Sequence, residues 1–170
     1  MVENRLAIKR ITLLALLTAL CTVARIAVLP LPNVQPVTDT VMIITLFEGF
    51  GSGLTLAVLT MIVSNLFLGF GIWTLPQIAA YVVCVVTVGI MAKIIPWKKM
   101  RWVQFVLCAF LGFEYGFVVS LGMAVIGQAP AFWAYWLSGL PFDFYHAIGN
   151  LVFYPLLYWL LRKLLRRYFA

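Results

Sequence analysis

Long apolar runs alternate with short polar breaks along this chain, and the runs are long enough to cross a bilayer. A helix that spans the hydrocarbon core needs about 20 apolar residues. The pattern predicts spans at residues 11–29, 75–95, 102–126 and 139–161. A longer apolar stretch, residues 41–68, is interrupted by Gly49-Phe50-Gly51-Ser52-Gly53. This interruption allows either one long kinked helix or two short helices joined by a turn.

Positive charge decides between these alternatives, because eleven of the twelve Lys and Arg residues fall in three clusters. The clusters are Arg5–Lys9–Arg10, Lys93–Lys98–Lys99–Arg101 and Arg162–Lys163–Arg166–Arg167. Cytoplasmic loops retain Lys and Arg, so an even number of spans should separate consecutive clusters. Only two helices over 41–68 satisfy that rule. We therefore predict an all-α integral membrane protein of one domain, residues 1–170: a bundle of six transmembrane helices with both termini and the 49–53 turn in the cytoplasm.

Composition supports a membrane protein. The chain is 65% hydrophobic and 10% charged, with a mean hydropathy of +1.08, whereas a soluble domain has about 25% charged residues. The net charge of +7 lies beside predicted spans, which favours contact with anionic membrane lipid over binding of nucleic acid. No small-residue cleavage site follows the first apolar run, so we expect a retained helix and not a signal peptide.

Polar residues gather in the half of the bundle that should face outward. We expect Thr38 or Asp39 to cap the second helix, and residues 128–138 to form a second extracellular loop. Asp143, His146 and Asn150 open the predicted sixth span at spacings that place them on one helix face. Lipid does not tolerate such a face, so it should point into the bundle or a watered cavity. Its side chains either join helices by hydrogen bonds or bind a ligand.

Three further features each allow two interpretations. The pair Ala15-x-x-x-Ala19 permits close approach of a helix, either within the bundle or from another protein. Arg25 lies outside the clusters and either extends to the membrane surface or pairs with Asp39 or an anionic ligand group. Glu114, within the predicted fifth span, is either a functional carboxylate or a neutral, hydrogen-bonded one.

The sequence gives little support for catalysis. It has one His, no G-x-S-x-G, no H-E-x-x-H and no paired carboxylates on one helix. Asp143 with His146 would make a dyad, but no nucleophile is spaced to complete it. Cys21, Cys84 and Cys108 form no C-x-x-C pair, which argues against a disulfide or a metal site. We therefore predict no catalytic residue, no metal site and no cofactor. In the absence of a P-loop, ATP would be used by partner subunits.

Four features together resemble those of a known family. They are the size of the chain, the number of helices, the Ala15-x-x-x-Ala19 pair and the stretch Pro141-Phe142-Asp143-Phe144-Tyr145-His146-Ala147-Ile148-Gly149-Asn150. The chain resembles the substrate-binding S component of an energy-coupling factor (ECF) transporter, a class of prokaryotic vitamin importers. The resemblance implies a multi-pass protein of the prokaryotic plasma membrane that binds a vitamin outside. It would dock through Ala15 and Ala19 on a transmembrane coupling subunit and topple, driven by two cytoplasmic ATPase subunits.

The stretches Pro32–Thr38, Ser64-Asn65 and Gly71–Gln77 are similar to the S components associated with cobalamin uptake. This similarity implies a wide outer pocket for cobalamin. The expected binding residues are Asn33, Gln35, Thr38, Asn65, Trp73, Gln77, Tyr81, Asp143 and His146. Trp133, Tyr135 and Trp136 either line that pocket or form an interfacial aromatic belt. The alternatives are an S component for another vitamin, an intramembrane enzyme using Asp143, His146 and Glu114, and a membrane scaffold without a ligand.

Overall fold

The computed structural model describes residues 2–27, 33–97 and 99–169, and every helix or strand assigned within them is an α-helix. The helices are α1 (Val2–Ala27), α2 (Val37–Glu48), α3 (Phe50–Leu68), α4 (Thr74–Ile94), α5 (Arg101–Val125) and α6 (Phe132–Tyr168). One continuous apolar core draws side chains from all six. The prediction of six helices in an all-α fold is confirmed.

The six helices differ in their ability to cross a membrane. Five are long and apolar enough to do so: α3, α4, α5, α6 and the part of α1 over Asn4–Ala27. The sixth, α2, has 12 residues and rises about 18 Å, which is less than the roughly 30 Å of a hydrocarbon core. Six full spans are therefore not confirmed. Although short, α2 returns the chain to the level of early α1, since Glu48 at its end lies 3.9 Å from Arg10.

A single glycine makes the turn between α2 and α3. Gly49 has φ 91° and ψ 171°, a conformation that only glycine adopts readily. Phe50 to Gly53 already belong to α3, so the predicted 49–53 turn is too long. At Gly53 the two helices touch, since a Cβ there would overlap the side chain of Thr45. The glycines at 49 and 53 thus serve different purposes, one for the turn and one for packing.

The first helix extends beyond the predicted span, and the predicted start of the second helix is wrong. The first helix is already formed at Val2, whereas the span was predicted over residues 11–29, so the cluster Arg5–Lys9–Arg10 is helical. Thr38 and Asp39 do not cap α2, because the helix begins at Val37 and the capping position is Pro36. The Thr38 hydroxyl is bonded to another helix instead, and the Thr40 hydroxyl donates to the Pro36 carbonyl at 2.7 Å.

The predicted second outer loop is also wrong in part, since α6 begins at Phe132 and continues for 37 residues. Only residues 126–131 connect it to α5. Aromatic rings order the first turns of α6: the Phe117 ring on α5 meets those of Phe132 and Trp136 edge-on, at 5.5 and 5.4 Å. Asp143, His146 and Asn150 consequently lie in the middle of α6 and not at its start.

The described residues of the basic clusters lie at one end of the bundle, which we call the basic end. Lys9 of α1 lies 5.8 Å from the ring centroid of Tyr168, at the end of α6. Phe47, near the end of α2, packs against Trp97 between α4 and α5 and against Tyr158 of α6, at 5.1 and 5.9 Å. The common location agrees with an even number of helical passages along the bundle between consecutive clusters, four from α1 to α4 and two over α5 and α6. The side of the membrane that this end faces stays a prediction.

Candidate functional site

A hydrogen-bonded network joins α1, α3 and α4 away from the basic end. One Arg25 guanidinium nitrogen donates to Ser64 Oγ at 2.5 Å and to Asn65 Oδ1 at 3.0 Å. Asn65 Nδ2 donates in turn to Thr74 Oγ1 at 3.3 Å and to Gln77 Oε1 at 3.1 Å. We call these five residues the arginine cluster. It brings together two predicted binding residues, Asn65 and Gln77, and adds Arg25, Ser64 and Thr74.

Arg25 is held by neutral partners. Among the described residues the recorded ion pair joins Arg10 and Glu48, and Arg25 pairs with neither Asp39 nor any other carboxylate. The Asp39 alternative is therefore not what the structure contains. Hydrogen bonds from a guanidinium to a hydroxyl and an amide oxygen fix its position but leave its charge uncompensated. Such a group is suited to bind an anion.

A second network, which we call the histidine cluster, contains Thr38, Tyr81, Tyr115 and His146. Thr38 Oγ1 lies 2.7 Å from His146 Nε2 and 3.3 Å from the Tyr81 hydroxyl. The Tyr115 ring lies 4.8 Å from that of Tyr81 and 5.2 Å from that of His146. All four side chains are buried and come from α2, α4, α5 and α6. Gln77 and Tyr81, one turn apart on α4, place the two clusters next to each other.

Tyr115 was not among the predicted residues. The available signal was its position between Gly112 and Gly116. A Cβ at Gly112 would lie 2.7 Å from the Ala147 nitrogen, and one at Gly116 would overlap the Asp143 carboxylate. The two glycines thus let α5 approach the polar face of α6, which brings Tyr115 to His146.

The polar face of α6 points inward, as predicted: Asp143, His146 and Asn150 are 3%, 0% and 0% exposed. Asn150 Nδ2 donates to the Cys108 carbonyl at 2.8 Å. Within the described residues, several buried oxygens and nitrogens have no hydrogen-bond partner, including Asp143 Oδ2, His146 Nδ1 and both Asp39 carboxylate oxygens. An unsatisfied buried polar group costs about 1–3 kcal/mol, so the interior has capacity for further hydrogen bonds.

Residues 33–36, the described part of the connection between α1 and α2, pack against the bundle. Gln35 is buried, and Val34 packs on Gly149, where a Cβ would lie 3.2 Å from the Val34 Cα. Gly149 lies 17 residues after Phe132, or about 25 Å along α6. Asn33, with φ 61°, is partly exposed. Residues 28–32 of this loop lie outside the described residues.

Trp73 and the aromatic side chains of early α6 remain near the surface. Trp73 is 44% exposed and precedes α4, with its ring against Gly71. Trp133 and Tyr135 are exposed, while Trp136 packs on Phe117. These aromatic groups are therefore accessible from outside the bundle, unlike the histidine cluster.

The small-residue pair on α1 lies on an outward face. Ala15 and Ala19 are exposed, and their neighbours on that face, Leu16, Leu20 and Val23, are exposed as well. The described bundle therefore does not use this pair for its own packing. Of the two interpretations, contact with another protein or with lipid is the one compatible with this position.

The groups required for an intramembrane enzyme are not joined. His146 is hydrogen-bonded to Thr38, and Glu114 Oε1 accepts a bond from Thr87 at 2.6 Å. Neither bonds to Asp143 within the described residues. The same residues contain no group of three His, Cys, Asp or Glu side chains able to hold a metal ion.

Comparison with known proteins gives one match. Residues 9–158 match the family described as "ECF transporter, substrate-specific component". No curated protein and no solved structure matches the chain. The matched range reaches from the basic cluster of α1 to Tyr158 of α6, and so includes both polar clusters.

Proposed function

This chain belongs to the family of ECF transporter substrate-specific components, and on that premise we propose that it binds cobalamin or a related corrinoid for import. Family membership makes it a multi-pass membrane subunit of a transporter and not an enzyme. It also implies a partner module with transmembrane and ATPase subunits. The identity of the vitamin, the position of its pocket and the transport movement are the parts that we propose.

The observation that carries the cobalamin proposal is the arginine cluster. A corrinoid has amide groups around its ring and one phosphodiester. Asn65 and Gln77 offer amides, and Arg25 offers a cation without a carboxylate partner among the described residues. Charge-assisted hydrogen bonds from a guanidinium to a phosphate are stronger than bonds between neutral groups. The cluster therefore suits a ligand that has many amides and one anionic group.

The proposed pocket has an accessible upper part and a buried floor. Asn33, Trp73, Gln77 and Arg25 are at least partly exposed and would meet the vitamin first. Trp73 offers a large apolar ring, which contributes more binding energy than one hydrogen bond. The floor beneath consists of buried side chains among those predicted to bind: Gln35, Thr38, Asn65, Tyr81, Asp143 and His146.

Transport would follow from docking of the α1 face that contains Ala15 and Ala19 on the coupling subunit. The subunit would then topple, so that the pocket opens inward while two cytoplasmic ATPases hydrolyse ATP. The uncovered position of the alanine pair on α1 supports this assignment. The chain needs no cofactor of its own for this movement.

Titration of the purified protein with cobalamin tests the proposal. Each net hydrogen bond contributes about 0.5–1.5 kcal/mol, so Gln77→Ala should weaken binding several-fold and Trp73→Ala should weaken it more. Thr55→Ala is the control, since Thr55 is exposed near the basic end and donates only to its own helix. If another vitamin binds and responds to these variants while cobalamin does not, the pocket stands and the substrate is wrong. If no vitamin responds, the pocket is misplaced.

A further inference from the structure

A cavity of about 570 Å³ lies between α5 and α6 at the basic end, far from the polar clusters. Its cationic side chains come from both helices: Arg101, Arg162, Lys163, Arg166 and Arg167. No Asp or Glu is among the residues that line it. A concave surface with several positive charges and no carboxylate raises the local concentration of anions.

The two helices place their guanidinium groups around one ring. The Arg101 and Arg162 guanidinium carbons lie 6.0 and 5.9 Å from the ring centroid of Tyr158. Deeper in the cavity, the Tyr154 hydroxyl and Gln104 are hydrogen-bonded to each other, and Gln104 also donates to the Trp97 carbonyl. The polar groups of the floor are thus satisfied by the protein, and the cations remain to bind a ligand.

Helix electrostatics explain only part of this arrangement. Arg166 and Arg167 lie in the last turn of α6, where cations stabilise a helix. Arg101 is the first residue of α5, where the helix end is itself positive and a cation is unfavourable. An anion in the cavity would compensate both Arg101 and the amino end of α5.

We propose that this cavity binds the phosphate of an anionic phospholipid. A second groove of about 420 Å³ shares Trp159, Lys163 and Arg167 with the cavity and is otherwise lined mainly by apolar side chains of α6. Trp159 is 61% exposed, and the Lys163 nitrogen lies 5.1 Å from its ring. A phospholipid would fill both spaces, with its phosphate in the cavity and an acyl chain in the groove. A free phosphate would leave the groove empty. The position, at the ends of two candidate spans, is where headgroups lie.

Native mass spectrometry of the whole protein in non-ionic detergent tests the site, with phosphatidylglycerol and phosphatidylcholine as probes. Arg101→Gln with Arg162→Gln should weaken phosphatidylglycerol binding by about tenfold or more, since charged hydrogen bonds are lost. The matched control is Lys93→Gln with Lys99→Gln, which removes the same charge from exposed residues of a different cavity. This control should bind phosphatidylglycerol within about twofold of wild type. Both double variants should bind phosphatidylcholine within about twofold of wild type.

A second measurement, made with Arg101 and Arg162 unchanged, guards against misfolding of the double variant. Phosphatidylglycerol with brominated chains should quench tryptophan fluorescence more than brominated phosphatidylcholine, and Trp159→Phe should remove most of that difference. Equal loss in both double variants would show unspecific attraction and overturn the proposal. If millimolar glycerol phosphate displaced bound phosphatidylglycerol as effectively as unlabelled phosphatidylglycerol does, the site would be assigned to free phosphates instead. Unchanged lipid binding with lost assembly on the coupling module would make the cavity a protein contact.

Discussion

At the residue scale, Arg25 differs from the other cations of the chain. Eleven Lys and Arg residues lie in the three clusters, whereas Arg25 lies near the end of α1 and bonds to Ser64 and Asn65. A cation in an apolar helix is costly unless it has partners or a function. Its neutral partners hold the guanidinium in place without cancelling its charge, which is the arrangement expected of an anion-binding group.

The variant Arg25→Gln separates positioning from charge. Glutamine can still donate to Ser64 or Asn65, but it has no charge to attract a phosphodiester. A hydrogen bond to a charged group contributes about 1.5–3 kcal/mol, so corrinoid affinity should fall by about tenfold or more, with little change in thermal stability. Calorimetric titration at low and high salt measures the affinity. The affinity of Arg25→Gln should depend less on salt than that of the wild type, because the variant lacks the charge.

Arg5→Gln is the control for Arg25→Gln, because Arg5 is exposed on α1 near the basic end. It removes the same charge and should leave affinity unchanged. An equal loss in both variants would mean that net charge, and not the position of Arg25, governs binding. A loss of thermal stability in Arg25→Gln with unchanged affinity would assign Arg25 a structural role alone.

At the element scale, the contact of α5 with α6 depends on glycine. A Cβ at Gly112 would lie 2.7 Å from the Ala147 nitrogen and 2.9 Å from its Cα. Backbone atoms within a helix cannot move aside singly, so Gly112→Ala should force the helices apart at a cost of about 1–3 kcal/mol. We expect a lower melting temperature in detergent and weaker vitamin binding, because Tyr115 and His146 lie across this contact.

Gly51→Ala is the matched comparison for Gly112→Ala. Gly51 is also helical, but nothing lies within 4 Å of its added Cβ. Alanine stabilises a helix by up to about 1 kcal/mol relative to glycine, so this variant should melt at the same or a higher temperature. If both variants melted alike, close approach of α5 and α6 would not be the reason for glycine at position 112.

The outward face of α1 yields a prediction about assembly. Ala15→Leu with Ala19→Leu adds bulk where a partner helix would approach closely, so vitamin uptake should be abolished. Binding by the isolated subunit should be unchanged, because neither alanine contacts the polar clusters. Ala7→Leu, also exposed on α1, should preserve uptake. Normal co-purification with the coupling subunit by the double variant would refute the docking assignment.

Sequence periodicity predicted the helices well because it depends on neighbouring residues, and the spacing of the charge clusters predicted their number. The break near Gly49 and the inward face with Asp143 and His146 follow from backbone geometry and the cost of polar groups in lipid. The start of α6 was missed because it depends on packing of Phe132 and Trp136 against Phe117. Thr38 resembled a helix cap, but His146, 108 residues away, is its partner. Contacts between distant residues have no local signature.

At the scale of the whole molecule, the bundle has two chemically different ends. The basic end combines Arg101, the cations of late α6, and Lys9 beside Tyr168. The other end offers exposed aromatic rings, with Trp73 and Trp133 among them. Positive residues favour the cytoplasmic side of a membrane, so this polarity predicts that the proposed pocket faces outward.

Single cysteines at the two ends test this orientation. Gly51 and Gln128 are exposed. Gly51 lies in the first turn of α3, beside a pocket that Arg10 of α1 and Glu48 of α2 also line. Gln128 lies in the connection between α5 and α6. In intact cells, a membrane-impermeant maleimide should label Gln128→Cys but not Gly51→Cys, and permeabilised cells should show both. The native Cys21, Cys84 and Cys108 are buried, so the unaltered protein should give little background. Labelling of Gly51→Cys from outside would invert the molecule in the membrane, and the proposed vitamin pocket would then open toward the cytoplasm.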